Sequence, residues 1–546
     1  MKVYKNGIIY TVDRQKSFAE AFAVDGNRFA YVGSNDGVKP YEENADEVID
    51  LQGKFVLPGF IDGHAHPIGS AVFNCGIIMN AYQDKESLLQ AIKDYVDGSP
   101  DEEAYFGLGW LETVFKDDPY GPTKDLLDGI CADKPIALLS SSCHTCWVNS
   151  KALELAGIDK NTPDPKPGAH FFVRDSEGNP MGYCKEIMCV QQVFSGANYI
   201  KEDLVLQKLS ELAERYASVG VTGVQDSGCF DFFIKCYNDK LYEHVNKESF
   251  KMRMHTCGLC AGSTESLPLA IDIVASCKDK YKSDKFTCGF LKLVGDGTAE
   301  NQTAAMPVAY GGKDKPIIPS FTEDEIFEAI MKADEMGVDY NQHTIGSVSN
   351  DVFVKAVGRA RKAGAKNRIT SSHTDYVYKE NIPLIKEYEI FCNGTPVWWY
   401  TFNEETAKQV DEISQALAKP FGSFFNSGIK CGFGSDFPTD TSGFEVTKNL
   451  VAGITRKNYS GLGTEGFQYK PEECLTLEQL IEGYTINNAY EFHMEDKIGS
   501  IEEGKLADFV IFEENLFELE KADPEKIRSA KIVETVMDGN TTYKAS

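Results

Sequence analysis

Between residues 55 and 436, short apolar runs alternate with amphipathic helical stretches, and this alternation constrains the fold more than any other feature of the chain. An apolar run of four to eight residues followed by a helix is the signature of a βα unit, whose crossover sets successive strands parallel. Eight such runs can be read, at 55–62, 221–226, 252–256, 290–294, 339–343, 368–373, 390–394 and 430–436. Eight strands close a (β/α)8 barrel of the TIM type, so the expected class is α/β. The barrel is expected over 58–489, with a long insertion at about 76–200 between its first two strands. The two ends, 1–57 and 490–546, hold short alternating strands broken by Gly and Asn, including a hairpin over Asp538-Gly539, and are expected to form one composite β-sandwich.

With 546 residues the chain exceeds the size at which a single core stops growing, and a deep site can be buried in it. No segment supplies the roughly 18 uncharged apolar residues of a membrane span. Met1–Asp13 has no sustained apolar run or small-residue cleavage site and reads as a strand rather than a leader. Fifteen cysteines are too sparse for a disulfide scaffold and odd in number, which points to a reducing, cytoplasmic setting. The excess of 83 acidic over 55 basic residues gives a net charge of -28, which opposes nucleic acid and anionic membrane surfaces. The expected partner is a small-molecule substrate, with a homodimer as the candidate assembly.

His64 and His66 end the first run. Side chains alternate along a strand, so a His-x-His there points both imidazoles to one face, although two satisfied polar residues would give the same pattern. His343, His373 and Asp436 fall at the C-terminal ends of the fifth, sixth and eighth runs, the face on which barrel enzymes build their sites. Four imidazoles and a carboxylate suit zinc or another divalent transition metal, as one ion or two. Lys292 lies among apolar neighbours in the fourth run. Buried there, its amine has a depressed pKa and can take up CO₂, giving a carboxylated lysine whose two oxygens bridge two metals; the alternative is a salt bridge to Asp296 or Asp226. His255 ends the third run and either faces the pocket or packs. The pairs Cys143/Cys146 and Cys257/Cys260 are about 110 residues apart, too far for a zinc ribbon, and read as incidental thiols.

Several segments resemble the amidohydrolase superfamily, and within it the family 3, YtcJ-like branch that includes N-substituted formamide deformylase. They are Leu57-Pro-Gly-Phe-Ile-Asp-Gly-His-Ala-His66, His144-Thr-Cys-Trp-Val-Asn-Ser-Lys-Ala-Leu153, Lys292-Leu-Val-Gly-Asp-Gly297, Gly434-Ser-Asp-Phe-Pro438 and Gly499-Ser-Ile-Glu-Glu-Gly-Lys-Leu-Ala-Asp508. The resemblance implies a metal-dependent barrel hydrolase acting at a carbon bonded to nitrogen. His64, His66, His343, His373 and Asp436 would be the ligands, Lys292 a carboxylated bridge, and Glu186 a pocket carboxylate or a further ligand. Two motifs depart from the branch. His343-Thr-Ile-Gly-Ser347 replaces His-x-x-Gly-Asp, and Arg368-Ile-Thr-Ser-Ser-His373 replaces Arg-Ile-Glu-His. The second moves its His by two residues, which keeps the side chain on the same strand face.

The resemblance implies hydrolysis of an amide, N-acyl or N-formyl bond, and the expected mechanism is attack by a metal-bound hydroxide with Asp436 as general base and then proton donor to the leaving amine. The insertion, with His144, Trp147, Asn149 and Glu186, is expected to hold the substrate and its developing oxyanion, packing being the rival role for Trp147. The aromatic run Trp398–Phe402 either lines an apolar pocket or packs. A deaminase of a cyclic or heteroaromatic amine, releasing ammonia, is the alternative enzyme; a catalytically inactive scaffold of the same fold is the non-enzymatic one.

Overall fold

A computed structural model describes the whole chain except residues 168–169, 230–237, 312–313, 402, 440–443 and 458–466. It divides into two compact units. The first comprises Met1–Pro67, Ala213–Gly228 and Tyr237–Ser546, and the second consists mainly of Ile68–Leu212.

The first unit is built on eight parallel strands: β1 (Phe60–Ala65), β2 (Val221–Asp226), β3 (Arg253–Cys260), β4 (Phe286–Val294), β5 (Asp339–Thr344), β6 (Ile369–His373), β7 (Ile390–Gly394) and β8 (Cys431–Phe433). Each pairs with the next in sequence, so β1 and β8 are the two ends of the hydrogen-bonded order. Side chains and loops join those ends. The Asn488 amide donates to the carbonyls of Ile61 in β1 and Phe433 in β8, at 2.6 and 2.8 Å. Above it, the Asp436 N–H donates to the His64 carbonyl at 2.7 Å and the His66 N–H to the Phe437 carbonyl at 2.8 Å. Strand β2 is buried along its whole length, as expected of parallel strands covered on both faces.

The covering helices start and stop for local reasons. In Glu323–Met336, Thr322 caps the N-terminus in a box with Glu325, and Gly337 ends the helix with a left-handed residue. Its acidic first turn faces solvent while Ile326, Ala329, Ile330 and Ala333 are buried.

The expected first strand, 55–62, is two strands. Phe55–Pro58 pairs with Ile8–Tyr10 and Phe509–Phe512 in a six-stranded terminal sheet, and only Phe60–Ala65 belongs to the barrel. Gly59 marks the break, because a Cβ there would meet the Thr222 side chain at 2.5 Å. The six-stranded sheet draws strands from both termini, and a four-stranded sheet comes from the first 50 residues. They share one apolar core containing Tyr4, Phe22, Phe29, Val56, Phe509 and Val536. The hairpin Ile532–Met537 to Asn540–Lys544 turns on Asp538 and Gly539, both with positive φ. Arg253, at the start of β3, is buried between Asp508 and Asp538 of the terminal segment, at 2.9 and 2.6 Å.

The second unit is a six-stranded mixed sheet built from Ile77–Ile78, Tyr105–Trp110, Ile136–Ser140, Thr145–Val148, Phe171–Arg174 and Pro180–Lys185. Its core includes Trp110, Phe115, Trp147 and Tyr183.

Candidate metal centre

The C-terminal ends of β1, β6 and β8 bring three donor groups together. One donor atom each of His64, His373 and Asp436 lie within 4.8 Å of one another, and all three residues are buried. Among the described residues no other such group of His, Cys, Asp and Glu forms, so the Cys-x-x-Cys pairs build no metal site there. His66 stands beside the cluster: the Nε2 atoms of His64 and His66 lie 3.5 and 3.3 Å from Asp436 Oδ1. The His343 ring is 4.4 Å from that of His373, which is 4.8 Å from that of His64. The two-residue shift in the β6 motif therefore leaves His373 at the centre of the group.

The second ring nitrogens fix the orientation of two rings. His66 donates from Nδ1 to the Gly228 carbonyl at 2.8 Å, which leaves Nε2 for an ion. His343 donates from Nε2 to the Gly297 carbonyl at 3.2 Å, which leaves Nδ1. The Asp296 carboxylate lies 3.7 Å from the same Nε2 and accepts from the N–H groups of Ala305, Ile345 and Gly346.

Asp436 Oδ1 and His64 Nδ1 are buried and have no hydrogen-bond partner. Leaving such atoms unpaired in a protein interior costs on the order of 1–3 kcal/mol each, more for a charged group. Burial first, then the surrounding imidazoles and Lys292, hold His64 and His373 well below the ordinary imidazole value. Burial and Lys292 likewise lower His343 to about 4. Burial also works against charge on His66, but the Asp436 carboxylate 3.3 Å from its Nε2 outweighs it and raises its pKa. Three imidazoles held neutral, those of His64, His343 and His373, beside a carboxylate are the state in which such groups bind a divalent cation, so the residues present fit one.

Lys292 is buried in β4, and its ammonium donates to Asn341 Oδ1 at 3.0 Å, an amide in place of the carboxylates Asp296 and Asp226 that the sequence offered. Ser372 donates to the same oxygen at 2.6 Å. Burial lowers Lys292 to about 8 against the opposing pull of Cys257, Asp436 and Glu491. His255 does not face the C-terminal end. It lies near the start of β3, bonded to Thr287 Oγ1 at 2.6 Å and flanked by Phe290 and Phe492. Trp398 stacks on His373 with ring centres 5.7 Å apart, placing an aromatic wall beside the cluster; Phe402 lies outside the described residues.

In the second unit His144 donates from Nδ1 to Glu186 Oε2 at 2.9 Å, both side chains being exposed. Glu186 adopts a φ of 72° immediately before the helix Ile187–Phe194. Trp147 and Asn149, expected to touch substrate, are structural. Trp147 is buried against Trp110 and Phe115 and donates to the Thr123 carbonyl at 2.8 Å. Asn149 caps the helix Ser150–Leu155 and donates to the carbonyls of Cys131 and Lys134, both at 2.8 Å. Neither side chain has a polar atom to spare.

Asp62, two residues before the His-x-His motif, is the residue the sequence reading passed over. It is buried, and its Oδ1 accepts from the N–H groups of His64 and Ser435 at 3.2 and 2.9 Å. Burial raises it to about 6, although the Ser435 and His64 bonds oppose that. An acid in the middle of an apolar strand was the available signal, because a buried carboxylate must find donors.

Comparison with known proteins agrees with the geometry. The profile described as "Amidohydrolase family" matches residues 47–543. The chain is 26% identical to the putative amidohydrolase YtcJ of Bacillus subtilis (strain 168), over 100% of this chain and 99% of that one. It is 24% identical to the N-substituted formamide deformylase of Arthrobacter pascens, over 99% and 97% of the two chains. In fold it is similar to an uncharacterized metal-dependent hydrolase from Pyrococcus furiosus, with a TM-score of 0.71 and 22% identity over 94% of this chain and 99% of that one. Since the profile runs from the first terminal sheet, through the barrel and its histidines, to the closing hairpin, the chain belongs to the amidohydrolase family.

Proposed function

We propose that the protein is a metal-dependent hydrolase that cleaves the carbon–nitrogen bond of an amide, N-acyl or N-formyl small molecule. The observation that carries this reading is the buried convergence of His64, His373 and Asp436, with Asp436 Oδ1 and His64 Nδ1 unmet. His64, His66, His343, His373 and Asp436 would hold a divalent ion, zinc being the best match to a nitrogen-rich donor set. Lys292 is read as the carboxylated bridge to a second ion, supported by its burial and by a pKa of about 8, which makes its neutral amine accessible near physiological pH. Such an ion supplies acidification of water and polarisation of a carbonyl at that position.

The chain's own residues do the rest. Asp436, beside both His64 and His66, takes the proton from the attacking water and returns it to the departing amine nitrogen, which is otherwise a poor leaving group. Trp398, stacked on His373, excludes water from one side and offers an apolar face to an acyl or aromatic group. The two terminal sheets, sharing one core, are read as the composite β-sandwich of this architecture.

The test is a screen of zinc-loaded protein against N-formyl amines, N-acyl amino acids, cyclic amides and heteroaromatic amines, following amine, carboxylate and ammonia release. Amine and carboxylate in equal amounts support the reading. Ammonia from heteroaromatic amines alone would select a deaminase, and failure to take up any divalent metal would leave only an inactive scaffold.

A further inference from the structure

The three ligand-bearing residues His64, His66 and Asp436 stand on opposite sides of the β1–β8 seam, which no ladder pairing holds among the described residues. Two isolated backbone bonds cross it there, from the Asp436 N–H to the His64 carbonyl and from the His66 N–H to the Phe437 carbonyl, and side chains must supply the rest of the support. Asp62 crosses the seam at this level. Its Oδ1 takes the N–H of His64 on its own strand and the N–H of Ser435 on the other side, at 3.2 and 2.9 Å. Its Oδ2 takes the Ser435 hydroxyl at 2.6 Å, with the Tyr216 hydroxyl further off at 3.4 Å. The Ser435 hydroxyl oxygen in turn accepts the Phe437 N–H at 3.0 Å. Ser435 is thus tied to the buried carboxylate directly and Phe437 through the Ser435 hydroxyl, and Asp436 between them is held at a φ of 50°, a left-handed conformation that seldom persists unsupported in a non-glycine residue.

We propose that Asp62 is a positioning residue that fixes the spacing of His64, His66 and Asp436 across the barrel seam and thereby sets the affinity of the centre for its metal. It touches neither ion nor substrate and acts through Ser435 and the two backbone amides. The proposal rests on the metal-centre reading given above, and its failure is separable from failure of that reading.

The experiment measures zinc affinity of the full-length chain by competition with a chromophoric chelator, with Tm recorded for every variant. Outer-shell partners of metal ligands are typically worth 10–100-fold in affinity, so Asp62→Ala is expected to weaken zinc binding by that factor, and Ser435→Ala to weaken it less but in the same direction. Ile330→Ala, in the buried row of the helix Glu323–Met336 and outside the β1–β8 seam, serves as a control expected to lower Tm while keeping the Asp62 and Ser435 bonds. Affinity lost in Asp62→Ala but kept in Ile330→Ala at a matched fall in Tm supports the proposal. Equal losses in the two, or an Asp62→Ala affinity within twofold of wild type, overturn it. If Asp62→Ala does not fold, Ser435→Ala decides, and an affinity within twofold of wild type then overturns the proposal. His64→Ala tests the centre itself: zinc bound equally by this variant and by wild type would show that the ion sits elsewhere, and both readings would fall.

Discussion

Replacing Asp436 by asparagine tests the chemistry with little disturbance of the structure. The residue sits at a φ of 50°, a region that asparagine enters several-fold more readily than most side chains. Alanine there would add strain of roughly 1–2 kcal/mol and confound folding with chemistry. The bond from the 436 N–H to the His64 carbonyl, at 2.7 Å, is unaffected by either change. What asparagine removes is the negative charge and the proton-accepting oxygen 3.3–3.5 Å from two imidazoles. General acid–base catalysis contributes about 10²–10⁴-fold, which is about 3–5.5 kcal/mol of transition-state stabilisation at 1.36 kcal/mol per tenfold. Asp436→Asn is therefore expected to lose that factor in kcat at saturating substrate, with far-ultraviolet circular dichroism and Tm close to wild type. Amine release would be followed at equal zinc content, confirmed by atomic emission, because His64, His66 and His373 remain as ligands. A variant that carries the same zinc and turns over within tenfold of wild type would refute the role of Asp436 as base.

Stripping the metal with a chelator should lower Tm, and restoring zinc at about 100 times its Kd should return roughly 2.7 kcal/mol; a Tm indifferent to zinc would contradict a folded-state site. His255, which burial holds at about 3 against an ordinary 6.5, binds its proton more weakly in the folded than in the unfolded chain. Its contribution is therefore intact above pH 6.5 and is lost as pH falls from 6.5 toward 3, by an upper bound of about 5 kcal/mol. His255→Gln should flatten the acid limb of a stability-against-pH curve, and an unchanged limb would show that other groups dominate it. Arg253→Ala leaves Asp508 and Asp538 without their buried cation and should cost about 3–5 kcal/mol in denaturant unfolding, with catalytic parameters of the surviving folded fraction preserved.

The repeating βα rhythm made the barrel legible, because a parallel strand buried on both faces must be apolar nearly throughout and its boundaries are marked by Gly and polar turns. The strand that misled was the first. Residues 55–61 carry no charged or polar side chain because Phe55–Pro58 and Phe60–Ala65 are each buried in a different sheet, and periodicity carries no mark of which sheet a residue joins. The metal candidates could be read because ligands cluster by strand end, a one-dimensional property. Ser435 and Asn341 could not be singled out in the same way, and Asp62 only as an acid that must find donors, since what matters in all three is the partner across the sheet. Trp147 and Asn149 misled in the opposite sense. Their residue types suit a binding pocket, but an indole N–H and a carboxamide are equally used to satisfy buried carbonyls, and the folded chain uses them so.

The division of the first apolar run at Gly59 bears on how the chain tolerates being shortened. Phe55–Pro58 is held by Phe509–Phe512, and five residues after Gly59 the same strand direction delivers His64. Removal of the last 40 residues would strip Phe55–Pro58 of one of its two partner strands, leaving Ile8–Tyr10 alone to hold the near end of the segment that carries two imidazoles. The tail is in this sense a support for the strand that delivers His64 and His66. A protease nick or stop codon near residue 506 would be felt as lost zinc retention before it was felt as an unfolded barrel.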